Sequence, residues 1–62
     1  MSRSLSDLRH EIMLGHHSKD EWLEIDREVN DAIASASDDE VQAFVDSGAG
    51  ESLDMICAAY KN

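Results

Sequence analysis

The run Ser18-Lys19-Asp20-Glu21-Trp22-Leu23-Glu24-Ile25-Asp26-Arg27-Glu28-Val29-Asn30-Asp31-Ala32-Ile33-Ala34-Ser35-Ala36 opens with a start signal and continues as one apolar stripe. A Ser followed three residues later by a Glu is a capping box. The hydroxyl oxygen accepts from an orphan backbone N–H, and the carboxylate reaches back to the N–H of the cap. Behind it, Trp22, Ile25, Val29, Ala32, Ile33 and Ala36 recur at spacings of three and four, as on one face of an α-helix. The spacing predicts a helix over about residues 19–36, the longest in the chain. Trp22 starts the stripe with a large apolar area, while Ala32 and Ala36 end it with almost none, so another element is expected close to the backbone there. On the other side of this helix Asp20, Glu24, Glu28 and Asp31 fall within roughly an 80° arc, at about 100° per residue. Arg27 interrupts this carboxylate stripe.

Punctuation on either side marks three more helices. Ser4 is placed to cap a helix over about residues 5–14, with Asp7 near its positive end, Leu5, Leu8 and Ile12 on one face, and Gly15 as its stop. Ser37-Asp38-Asp39-Glu40 repeats the capping-box spacing and starts a helix over about residues 38–47 whose apolar face is Val41, Phe44 and Val45. Gly48-Ala49-Gly50 is expected to end it, because Gly enters left-handed backbone conformations at little steric cost. A last helix is expected from about Glu51 to Lys61, with Leu53, Ile56, Cys57 and Tyr60 on one side and Lys61 near its negative end. No segment alternates with period two, so no strand is expected. The fold expected is all-α: one small domain, 1–62, forming a compact bundle of three to four short helices. Pairs joined by such short turns are expected to pack roughly antiparallel. The expected core is Leu5, Leu8, Ile12, Trp22, Ile25, Val29, Ile33, Val41, Phe44, Leu53, Ile56 and Tyr60.

The chain of 62 residues holds 14 carboxylates against 5 Lys and Arg, a net charge of −9. Twelve of those acids lie between Asp20 and Asp54, where Arg27 is the sole cation. Like charges repel, so free nucleic acid and anionic membranes are poor partners and no direct contact with either is expected, whereas a basic protein surface is a good partner. There is no run of about 20 apolar residues to span a bilayer and no secretory leader pattern. Cys57 is the one cysteine, so no disulfide can form within the sequence, which suits a reducing compartment and a cytoplasmic location. A core of this size is marginal on its own, so self-association or a partner is expected to add stability.

Few constellations carry chemistry. His10, His16 and His17 cluster near Glu11 and Asp20, but none of the pairs has a standard zinc-ligand spacing. They are expected to be a solvated cluster or a helix C-terminal cap, with a metal-binding role a distant alternative. Cys57 follows Ile56 on an apolar face and is expected to be a small buried hydrophobe. No phosphate loop, nucleophile elbow or metalloprotease motif is present, so neither an enzyme nor a cofactor is expected.

One pair of segments bears a family resemblance. With Leu8-Arg9 on its first helix and Ile25-Asp26-Arg27-Glu28-Val29-Asn30 on the helix that follows, the chain faintly resembles the small aspartyl-phosphate phosphatases of sporulating bacteria, whose signature is Ser-Gln-Glu-Leu-Asp. Glu28 matches it, but Asp26 and Asn30 stand where that signature has Ser and Asp, so no site is carried across.

The functional expectation is a protein-binding regulator or inhibitor. Its acidic face, formed by Asp20, Glu24, Glu28, Asp31, Asp38, Asp39 and Glu40, would imitate a run of phosphates and dock on a basic, nucleic-acid-binding surface. Trp22, Met13 and Met55 would serve as apolar anchors. The sharpest form is a phage-type counter-defence or host-takeover protein. The alternative is a self-assembling homo-oligomeric subunit or adaptor of a larger complex, in which acidity serves solubility.

Overall fold

The computed structural model describes residues 3–61, and 83% of them are helical, with no strand among them. Four helices follow one another: α1 (Leu5–Leu14), α2 (Lys19–Ser35), α3 (Asp38–Asp46) and α4 (Ala49–Lys61). The caps form where local chemistry places them. Ser4 Oγ accepts the Asp7 N–H at 3.2 Å. Ser18 Oγ accepts the Glu21 N–H and Glu21 Oε1 accepts the Ser18 N–H, each at 3.3 Å, closing the reciprocal box. At α3, Ser37 Oγ accepts the Glu40 N–H at 3.3 Å, but the Glu40 carboxylate turns to the Ser37 hydroxyl rather than to its backbone. Gly15 ends α1 at φ 73° and Gly48 turns the chain after α3 at φ 81°, both in the left-handed region.

The turn after α3 is tighter than Gly48-Ala49-Gly50 suggests. One left-handed residue redirects the chain, so α4 starts at Ala49, two residues earlier than expected, and buries Ala49 in the core. The core gathers Leu5, Leu8 and Ile12 of α1 and Trp22, Ile25 and Val29 of α2. Phe44 of α3 and Ala49, Leu53 and Cys57 of α4 complete it. Val41 and Ile56 pack against it half-buried. Two expected members stay out: Ile33 and Tyr60 are each 38% exposed. Along α4 the buried positions advance by four, from Ala49 to Leu53 to Cys57, which turns Tyr60 to the rim. Ile33 lies at the edge of the α2 stripe. The side chain of Lys61, expected near the negative end of the last helix, lies outside the described residues.

The packing departs from a simple succession of antiparallel neighbours. α2 packs mainly on α4 and α1, and α3 also packs on α4 and α1. Although only Ala36 and Ser37 separate them, α2 and α3 do not pack along their length. Ala36 leaves the helix with extended backbone (φ −81°, ψ 159°), which swings α3 away. A groove is left open between them.

Candidate functional site

The carboxylate stripe of α2 divides in the folded chain. Asp20, Glu24 and Asp31 are exposed. Glu28 is drawn to the segment before α1, where Arg3 Nε donates to Oε1 at 3.2 Å and Arg3 Nη2 donates to Oε2. This fork-to-fork pair leaves the Glu28 side chain 18% exposed and lowers its pKa from the ordinary value, chiefly through the Arg3 hydrogen bond. Glu28 therefore ties the N-terminal segment to α2, and the freely exposed part of the stripe is Asp20, Glu24 and Asp31.

The tie has a pH signature. Because the folded-state pKa is depressed, the pair's stabilisation is present above the ordinary glutamate range and is lost as pH falls through the lowered value. In urea titrations the stability lost by Glu28→Gln relative to wild type should shrink as pH drops from 7 to roughly 3. Asp54→Asn removes the same charge from an exposed site and serves as the control. A Glu28→Gln deficit that stayed constant over this range would show that the ion pair is not the cause.

Asp38, Asp39 and Glu40 are exposed in the first turn of α3, where negative charge is favoured by the helix dipole. They are not remote from the α2 stripe. A shallow hollow of about 300 Å³ has Asp31 of α2 and Glu40 of α3 on its walls, together with Arg3. The two acidic segments, separate in sequence, thus meet at one edge.

The apolar anchors are placed differently. Trp22 is 3% exposed and belongs to the core, so it offers no surface to a partner. Its ring meets that of His17 edge-on, with centroids 4.8 Å apart at 85°. Met13 and Met55 do face solvent, at 73% and 75% exposure.

The histidines do not form a solvated cluster. His10 and His16 are exposed, but the His17 side chain is only 8% exposed. His17 Nε2 lies 2.7 Å from the Glu11 carbonyl oxygen in the last turn of α1, which makes it a C-terminal cap. Its Nδ1 is 3.4 Å from Glu21 Oε2, and Glu11 Oε2 is 3.5 Å from Nε2. Glu21 is held below its ordinary pKa, first by the Ser18 backbone N–H and then by His17. Arg3 stands 4.0 Å from Glu11, so one chain of polar contacts, Glu21–His17–Glu11–Arg3–Glu28, links the segment before α1, the last turn of α1 and α2. Only long-range geometry reveals this network. Among the described residues, no group of three His, Cys, Asp or Glu side chains is arranged to hold a metal ion. Cys57 is 2% exposed, with Sγ 3.7 Å from the Trp22 carbonyl oxygen.

A further hollow, the groove between α2, α3 and α4, has a volume of about 610 Å³. Sequence periodicity did not single it out. The available signal was the acids that follow Val45 and surround Leu53: Asp46, Glu51 and Asp54.

These features define a small acidic four-helix protein whose charged groups lie at or near the surface, with none fully buried among the described residues. No described helix is long and apolar enough to cross a membrane. No protein-family model, characterised protein or solved structure matches the chain.

Proposed function

We propose that this protein is a stoichiometric protein-binding regulator that docks an acidic face on a basic surface of its partner, acting as an inhibitor where that surface handles nucleic acid. The observation that carries this reading is the meeting of the α2 stripe with the α3 first turn at the Asp31–Glu40 hollow. Asp20, Glu24, Asp31, Asp38, Asp39 and Glu40 are all exposed, in a chain of net charge −9. A predominance of negative charge over such a face steers encounter with a cationic surface and penalises anionic competitors.

The test is affinity capture from the source lysate with the wild type and with an Asp20→Lys/Glu24→Lys/Asp31→Lys variant. Exposed ion pairs are screened over about 3 Å at 1 M salt. The captured protein should be released at high salt and displaced by duplex DNA, and the variant should retain about a tenth of it or less. Capture that survives both charge reversal and salt would defeat the reading.

A further inference from the structure

We propose that the groove between α2, α3 and α4 receives one amphipathic, Lys- and Arg-bearing helix of a partner protein. The inference rests on the preceding reading for the cationic character of the partner, but it uses a different face of the molecule. On α2 the carboxylate stripe and the groove wall lie on different sides: Asp26, Asn30 and Ile33 line the groove, whereas Asp20, Glu24 and Glu28 do not.

The floor of the groove is apolar. Val29, Phe44 and Leu53 come up from the core beneath it, and Ile33 and Val45 stand above them on opposite walls. Ile33 is 38% and Val45 56% exposed, so the core is continuous with apolar surface that nothing in the chain covers among the described residues. This opening exists because α2 and α3 do not pack side by side.

Around this floor stand four carboxylates from three helices: Asp26 of α2, Asp46 of α3, and Glu51 and Asp54 of α4. Asp46 is held in place by the Gln42 side-chain amide at 2.8 Å. No Lys or Arg lines the groove among the described residues. An apolar floor flanked by Asp46, Glu51 and Asp54 is complementary to a helix carrying aliphatic residues along one face and cations along both flanks. A second copy of this chain fits poorly, because a symmetric contact would bring the same four carboxylates against one another. The same rim repels nucleic acid and anionic lipid.

The probe is a fluorescently labelled synthetic peptide of about 14 residues, with Leu at helical spacing on one face and Lys on both flanks. As a helix it would be about 21 Å long, which fits within the 31 Å longest dimension of the molecule. Fluorescence anisotropy should show saturable one-to-one binding to the wild-type chain. Val45→Ser alters an exposed wall residue, and Asp46→Lys/Asp54→Lys reverses part of the rim. Each should weaken binding on the order of tenfold or more, while circular dichroism shows unchanged helix content. Asp7→Asn, at an exposed acid outside both the groove and the acidic face, should shift the dissociation constant by no more than about twofold. Asp20→Lys/Glu24→Lys on the acidic face tells the two surfaces apart.

The proposal is overturned if the peptide does not bind, if a Glu-flanked version binds equally well, or if the groove variants bind like wild type. Loss of binding through the Asp20/Glu24 reversal alone would move the cationic partner to the α2 stripe, ending the groove assignment while leaving the regulator reading intact. Conversely, groove-dependent peptide binding with charge-insensitive capture from lysate would end the stripe reading alone. Light scattering that finds a dimer broken by Val45→Ser would give the groove to a second copy and overturn the proposal.

Discussion

Trp22→Ala is expected to strip the isolated chain of most of its stability at room temperature. Trp22 is 3% exposed and is the chain's sole tryptophan. Truncating a buried Trp costs about 3–5 kcal/mol, from lost apolar burial and from the cavity left behind. A native chain holds roughly 0.05–0.15 kcal/mol per residue. For 62 residues this amounts to about 3–9 kcal/mol in all. The deletion therefore consumes most of the reserve. Two further effects reinforce the loss. The His17 ring, which caps α1 through the Glu11 carbonyl, rests edge-on against Trp22 and would lose that support. The Trp22 backbone also faces Cys57 of α4, so the site joins α1, α2 and α4. Far-UV circular dichroism during urea titration reads the effect, and in the wild type the Trp22 emission should shift to the red in the same transition. A Trp22→Ala chain with native helicity and an unchanged urea midpoint would show that this core assignment is wrong.

What could be read from the chain is what local chemistry governs. Ser4, Ser18 and Ser37 cap their helices because each needs only an N–H two or three residues away. The three-and-four spacing placed Leu5, Leu8, Ile12, Trp22, Ile25 and Val29 inside, and all six are buried. What could not be read depends on how finished helices meet. Ile33 has the right spacing for the core, but it needs α3 beside α2 to bury it, and the extended backbone at Ala36 sends α3 elsewhere. Glu28 resembles its neighbours in the stripe until Arg3, 25 residues away in sequence, is folded against it. Trp22 illustrates the same limit from the other direction. A large aromatic at the head of a stripe serves equally well as a core residue or a partner anchor, and only the arrival of α1 and α4 decides between them. The groove is likewise a product of packing that single-helix periodicity does not encode.

Phe44→Ala is expected to have a similarly large effect by a different route, because α3 hangs on one ring. α3 has nine residues, and Phe44 is its one buried position. Isolated helices shorter than about 12–15 residues are marginal in water, so α3 depends on tertiary contact. The Phe44 ring reaches the α1 side of the molecule, where it lines a hollow with Leu5 and Arg9, and it also floors the groove with Val29 and Leu53. Gly50 of α4 comes near enough that a Cβ there would sit 3.6 Å from Phe44 Cε1, an ordinary contact, so the ring packs on the first turn of α4. Removing the ring should cost about 3–5 kcal/mol. It should also loosen α3 before the rest, so amide hydrogen exchange should show Val41–Asp46 losing protection ahead of the α1–α2–α4 core. Two companions isolate the cause. Val45→Ala alters the next residue, which is 56% exposed, and should change stability by only about 0.5 kcal/mol. Phe44→Leu keeps most of the apolar volume and should cost less than about 1.5 kcal/mol. If Phe44→Leu were as damaging as Phe44→Ala, ring shape rather than buried volume would be holding α3. If neither altered the exchange of α3, the helix would be secured by something other than Phe44, and the floor assigned to the groove would lose its central residue.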